Sequence, residues 1–334
     1  MKLNNSLNNN FRLRKLLISV SFISIICVLF CSSLSMSKRN SRKTKKNLIK
    51  DDPLPQMCKS MNNDNSCSTY DCKNGKAIKS KNMSYAEAEI PLNYLNRMRT
   101  KINLQSTRAG KALKKGGDLL KLYWSNTLQT NSFNYSKCCP ALKFPHSTND
   151  FRKDKSGRGE GIAGEIVYFE KITKDMIKTE AEKFSFENSF DKIEKQALKG
   201  LELSTPEANQ KAKAINNIIK SYDPQAVNNL KQNFLADYLQ LVNSKSYRVG
   251  CGMTVCEYAA ENYYKVYVCL FNKGLIEGSS VYRKKIHNEI KNQINVDQTS
   301  QLLIPKGYES KSHLDKPFVI KFPVEKKTVK SNGH

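Results

Sequence analysis

Tyr247 to Phe271 reads YRVGCGMTVCEYAAENYYKVYVCLF, with three cysteines among alternating apolar and aromatic residues. A thiolate metal site and a disulfide-stapled hairpin are the two explanations, and they belong to different compartments. Aromatic and β-branched residues flank the AAEN segment, which predicts strands over 246–253 and 262–269. A hairpin folded about Ala260 sets Cys251 opposite Cys269, while Cys256, at an odd spacing from Cys251, points to the other face. The spacing therefore predicts a Cys251–Cys269 bond. Zinc is disfavoured, because a structural site takes four ligands and the next His or Cys is His287.

The first 36 residues read as a secretory signal. A basic stretch (Arg12, Arg14, Lys15) precedes the apolar run LLISVSFISIICVLFCSSL, which ends in small residues. Its length also admits a signal anchor. With a mean hydropathy of −0.58, nothing later in the chain reads as a span, so the remainder is expected in an oxidising exterior. Cys27 and Cys31 leave with the signal. Eight cysteines remain, Cys58, Cys67, Cys72, Cys138, Cys139, Cys251, Cys256 and Cys269, an even set that fits four disulfides. With Cys251 and Cys269 paired, sequence leaves the connectivity of the other six open. The adjacent Cys138 and Cys139 are expected to take different partners among Cys58, Cys67 and Cys72.

The 334-residue chain carries a net charge of +26, which falls to +22 without the four basic residues of the signal. Such a surface favours polyanions. Residues 38–50, KRNSRKTKKNLIK, hold seven Lys or Arg and no acid. They read as a solvated, disordered arm (37–57) that can also meet a heparin-like polymer or an anionic membrane. An extracellular setting excludes nucleic acid as a partner.

A Cys-rich extension over 58–84 follows. From Tyr85 to Ile102, Leu92, Leu95, Met98 and Ile102 recur at helical spacing, with Pro91 expected in the first turn. A second helix is expected near Leu128 to Lys137. The glycine-rich SGRGEGIAGE (156–165) reads as a loop before the strand EIVYFEKI, since a phosphate loop needs a Lys and Ser/Thr that are absent. Phe184, Phe186, Phe190 and Ile193 mark a helical insertion at about 170–214. YLQLV (238–242) reads as a further strand. The basic stretch 284–334, lysine-rich and weakly patterned, is expected to be a loosely ordered tail. Helices followed by antiparallel strands give an α+β fold. Asn82-Met-Ser and Asn134-Tyr-Ser are glycosylation sequons, and Asn82 is the better placed.

From Tyr85 to Arg283 these pieces, in order, resemble the CAP superfamily of cysteine-rich secretory, antigen 5 and pathogenesis-related proteins. LNRMR resembles the family's His-Asn-x-x-Arg, with Asn96 and Arg99 matching and Leu95 where the His stands. KLYWSNTL resembles Leu-x-Trp-x-x-x-Leu around Trp124, and CPALKFPH the Cys-then-His element. GEI at Gly164 resembles Gly-Glu-Asn. INNIIKSY falls where Trp-x-x-Glu-x-x-x-Tyr is expected, with Ile218 for the Glu and Tyr222 matching. DYLQLV resembles His-Tyr-Thr-Gln-Met-Val with Asp237 for the His, and VGCG, VYVC and GSSVY resemble the closing strands. The Cys-rich extension points toward the venom allergen-like branch.

The resemblance implies a CAP-type α-β-α sandwich over 85–283 with a small antiparallel sheet. It also implies a central cleft, where many members hold zinc on two His and two Glu. Here the matching positions read Leu95, Glu165, Ile218 and Asp237, a poor divalent site. The expectation is a metal-free, cofactor-free and catalytically silent cleft. His146, the single His of the domain, reads as a satisfied structural residue. Binding is what remains: a scaffold for an extracellular protein target or, alternatively, a sterol or fatty-acid carrier lined by the aromatic insertion.

Overall fold

A computed structural model describes residues 75–143, 146–147, 152, 163–180 and 186–313. The signal, the arm, Cys58, Cys67, Cys72, most of the glycine-rich loop, Phe184 and the last 21 residues lie outside the described residues. All described residues belong to one compact unit, Asn65–His334.

The quoted stretch forms the centre of the sheet. β4 (Arg248–Ala259) and β5 (Asn262–Phe271) pair antiparallel across a turn at Ala260 and Glu261, in a register that sets Cys251 against Cys269. The two cysteines are disulfide-bonded. β3 (Gly164–Ile172) pairs antiparallel with the far side of β5. The outer edge of β4 is shared by β1 (Lys76–Ser80), antiparallel near Cys256, and by β2 (Tyr123–Trp124), parallel at Arg248 and Val249.

Period-2 alternation sorts β4 into two faces. Gly250, Gly252, Thr254 and Cys256 meet helix α3 (Asn126–Lys137). The helix lies so close that a Cβ on Gly252 would come within 2.3 Å of the Phe133 backbone. Ser132 exploits the approach, its Oγ donating to the Gly250 carbonyl (2.7 Å) and accepting from the Leu270 amide (3.1 Å). Val249, Cys251 and Met253 face the other way, into the main core with Cys269, Tyr267 and Ile166.

That second face is covered by helices. α1 (Tyr85–Leu104) starts at a Ser84/Glu87 capping box and buries Leu92, Leu95, Met98 and Ile102. Because the cap fixes the start at Tyr85, Pro91 sits in the second turn rather than the first. The short helix α2 (Arg108–Ala112) follows. In the insertion, α4 (Glu187–Ala197) and α5 (Pro206–Lys220) pack Phe186, Phe190, Ile193 and Ile215 into the core. Phe186 lies against Tyr267 and Phe190 against Tyr94, with ring centroids 4.7 and 5.7 Å apart. α6 (Pro224–Asn229) and α7 (Leu235–Leu241) complete the layer. The result is an α-β-α sandwich in the α+β class.

Three expectations need correction. YLQLV is helix α7, not a strand: Tyr238, Leu239, Gln240 and Leu241 are all buried, and a short apolar run enclosed on every side carries no period that separates strand from helix. Cys139 bonds to Cys256 rather than to an N-terminal cysteine, because Cys256 faces α3 and Cys139 follows that helix. Cys138 is buried and has no disulfide partner among the described residues. Part of the basic C-terminal segment is also ordered. β6 (Ile294–Val296) and β7 (Leu303–Pro305) form a ribbon whose Ile294 and Leu303 pack with Leu120, Tyr247 and Ile290, apolar residues scattered too widely to read as a pattern.

Candidate functional site

The motif residues of α1 hold the sandwich together. Arg99, fully buried, donates from Nε to Leu241 O (2.9 Å), from Nη1 to Leu120 O (2.6 Å) and Ser246 O (2.8 Å), and from Nη2 to Asn243 O (3.0 Å). Its planar fork ties α1 to two separate chain segments at once, Leu120 and residues 241–246. Burial pushes its pKa down to about 9, opposed by Asp118, which leaves it charged at neutral pH. Asn96 bonds both ways with the Leu122 backbone, and the Trp124 indole donates to Gln129 Oε1 (2.7 Å).

The cleft is built where β3 begins. Gly164 has no side chain because Gln240 of α7 occupies that space; a Cβ would stand 2.3 Å from the Gln240 amide. Gln240 is itself fixed through Nε2 to Lys273 O (2.9 Å). This close approach sets Glu165, the next residue of β3, beside Asp237, one turn before Gln240 on α7. The Glu165 side chain is 0% exposed. Its Oε1 accepts from the Ser147 amide (2.8 Å) and lies 3.3 Å from His146 Nδ1, and its Oε2 accepts from Ser147 Oγ. The His146 ring is half-exposed.

The charges couple. The Glu165 hydrogen bond holds the His146 pKa above its ordinary value; burial opposes this, and the nearby Asp237 and Glu165 charges reinforce it. Burial pushes Asp237 up to about 6, with Glu165 adding and His146 opposing. Tyr222 has its phenol pKa raised by burial and by the nearby Asp223 and Asp237. Its backbone is pinned by Ser279 O and the Gly278 amide.

The structure thus brings together His146, Glu165 and Asp237. Leu95 and Ile218 instead lie in the hydrophobic core. The imidazole of the cluster is His146, a residue outside the cleft set Leu95, Glu165, Ile218 and Asp237; the signal for it was the Cys-then-His element CPALKFPH, some twenty residues before Gly-Glu. Ser147 was likewise missed. Its hydroxyl turns to Glu165 and not to His146, so the imidazole is not positioned to activate it as a nucleophile. With one imidazole, no thiolate, and both Glu165 oxygens engaged, the residues do not fit zinc, and among the described residues no group of three His, Cys, Asp or Glu is arranged to hold a metal ion.

Of the sequons, Asn82 is exposed in the loop before α1, its Oδ1 accepting from Gln129 Nε2 (2.8 Å), whereas Asn134 is half-buried on α3. No helix among the described residues is long and apolar enough to cross a membrane.

This sandwich, with its cleft residue on Gly-Glu and its Arg99 keystone, defines a class. The model of the cysteine-rich secretory protein family, CAP, matches residues 92–271, more than half of the chain, and the protein belongs to that family. Among solved structures it is similar to Na-ASP-1, at 15% identity and a TM-score of 0.45 over 69% of this chain and 52% of that one. It is also similar to BmVAL-1, at 15% identity and 0.43 over 62% and 85%. Venom allergen-like protein 4 of Schistosoma mansoni follows at 16% and 0.30 over 61% and 95%. The chain spans about half the length of Na-ASP-1. No curated protein sequence matches it.

Proposed function

We propose that this is a secreted, disulfide-stabilised, venom allergen-like CAP protein that works without catalysis, as a scaffold presenting its surface to an extracellular protein target. The observation that carries the reading is the state of Glu165: fully buried, with both oxygens taken by Ser147 and His146. A carboxyl so engaged acts as a structural pin between the segment after α3 and the sheet. It is poorly disposed to take up a substrate proton or a metal. The disulfides Cys139–Cys256 and Cys251–Cys269 suit an oxidising exterior. Asn82, exposed in a loop, is the proposed glycosylation site.

The alternative, a sterol or fatty-acid carrier, needs aromatic side chains lining an open cleft. Phe186 and Phe190 are instead packed against Tyr267 and Tyr94, which favours the scaffold. Native and denaturing mass spectrometry of the expressed chain tests the proposal. The expected result is a chain lacking its first 36 residues, found in the medium, with no metal and no lipid retained. Retained zinc, or a co-purifying sterol or fatty acid, would overturn it.

A further inference from the structure

The folded domain carries a basic surface of its own, joined by Lys284 and Lys285 at the start of the basic C-terminal stretch. Asn216 on α5 ties down the loop after α2: its Oδ1 accepts from the Lys114 amide (2.7 Å) and its Nδ2 donates to Ala112 O (3.0 Å). Lys213 and Lys220 stand three residues before and four after Asn216, on the same helix face, where such neighbours have Cβ atoms about 5–6 Å apart. The far end of the loop is tied to the segment after Tyr282, with Gly117 N donating to Arg283 O (2.7 Å) and Arg283 N to Asp118 Oδ1 (2.7 Å). Three pieces distant in sequence thereby gather Lys111, Lys114, Lys115, Lys213, Lys220, Lys284 and Lys285, all exposed.

Among the described residues none of these seven ammonium groups has a carboxylate within 4 Å. Asp118, the acid inside the patch, is occupied by the Arg283 amide and by Ser244 Oγ. Asp223, beyond the end of α5, caps α6, and Glu207 stands at the opposite end of α5. The apolar residues within the patch turn inward. Leu113 is buried in the main core and Ile286 packs with Leu120 and Tyr247, so the surface offers cations without apolar groups to enter a bilayer.

We infer that this patch is a docking surface for a linear sulfated glycan of the heparan type, an assignment that rests on the secretion reading above. A row of ammonium groups gains affinity by releasing the counterions condensed on such a polymer, so binding weakens steeply with salt.

The test is the affinity of the full chain for heparin across a salt series. Lys114→Gln/Lys284→Gln/Lys285→Gln is compared with Lys174→Gln/Lys178→Gln/Lys192→Gln, with an arm variant at Lys43, Lys45 and Lys46, and with a tail variant at Lys326, Lys327 and Lys330. The patch variant is expected to bind about tenfold more weakly at physiological salt. Its slope of log affinity against log salt should fall by nearly one per lysine, compared with about 0.9 per contact on duplex DNA. The other variants should stay within twofold, and unchanged near-ultraviolet circular dichroism reports an intact fold. An unaffected patch variant, or loss confined to the arm or tail variant, would overturn the proposal. So would binding to phosphatidylserine vesicles without heparin binding. Whether the chain reaches the medium is read separately, and heparin binding by a chain retained inside the cell would overturn the assignment to an extracellular glycan.

Discussion

Replacing Arg99 by Met keeps the volume and the apolar stem but removes the guanidinium donors from four buried carbonyls, those of Leu120, Leu241, Asn243 and Ser246, of which Asn243 keeps the Ser246 amide as a donor. Each buried acceptor left without a partner costs about 1–3 kcal/mol. Part of that sum returns, because the guanidinium no longer has to be desolvated and two of the carbonyls lie in a loop able to relax. The net expected loss is about 4 kcal/mol. For a domain of this size that corresponds to a fall in melting temperature of about 10 °C or more. Arg99→Lys should recover about half: it keeps the charge but offers three donors from one point, which cannot span segments that the planar fork bridges. Chemical denaturation of both variants, disulfides intact, provides the assay. An Arg99→Met protein within about 1 kcal/mol of the parent would refute the view that this side chain joins α1, α7 and the chain before β4.

Asp237 makes a pH prediction of definite sign. Its folded pKa is pushed up to about 6 from an ordinary 3.8, so its contribution is fully present below about pH 4 and is lost as pH rises through 6. His146, also raised, acts in the same direction: its bond to Glu165 stabilises below the ordinary imidazole pKa and is lost as pH rises through the raised value. The melting temperature should therefore fall between pH 5 and 7.5. Asp237→Asn should flatten much of that slope and stabilise the protein by about 2 kcal/mol at pH 7.5, with the remainder left to His146 and to Asp118, the latter pushed up to about 6 by burial. An unchanged slope in a pH series of thermal melts would contradict this. Gly252→Ala is expected to cost about 3 kcal/mol by forcing α3 off the sheet, measured by urea unfolding, since the added Cβ meets the Phe133 backbone and not a side chain that can swing away. Non-reducing peptide mapping should join Cys139, and not the adjacent Cys138, to Cys256. A peptide joining Cys138 to Cys256 would count against this.

Features governed by local period were readable in the sequence. Alternation along 247–271 predicts the hairpin, its turn and the pairing of Cys251 with Cys269, because side-chain direction in a strand reverses at each residue. The three- and four-residue recurrence of Leu92, Leu95, Met98 and Ile102 fixes α1 in the same way. The order of LNRMR, KLYW, GEI, DYLQLV and VGCG was enough to suggest the family. What tertiary structure alone decided has the opposite character. YLQLV is helical because it is enclosed on all sides, and Cys139 meets Cys256 because α3 packs down on two glycines. The cleft owes its imidazole to His146, since Gly164 lets Gln240 draw α7 against β3 beside the segment that follows Cys139. The basic patch exists only because Asn216 and Asp118 tie three distant segments together. Such contacts are settled by which layers pack on which, a long-range choice that leaves no period in the sequence for local reading to find.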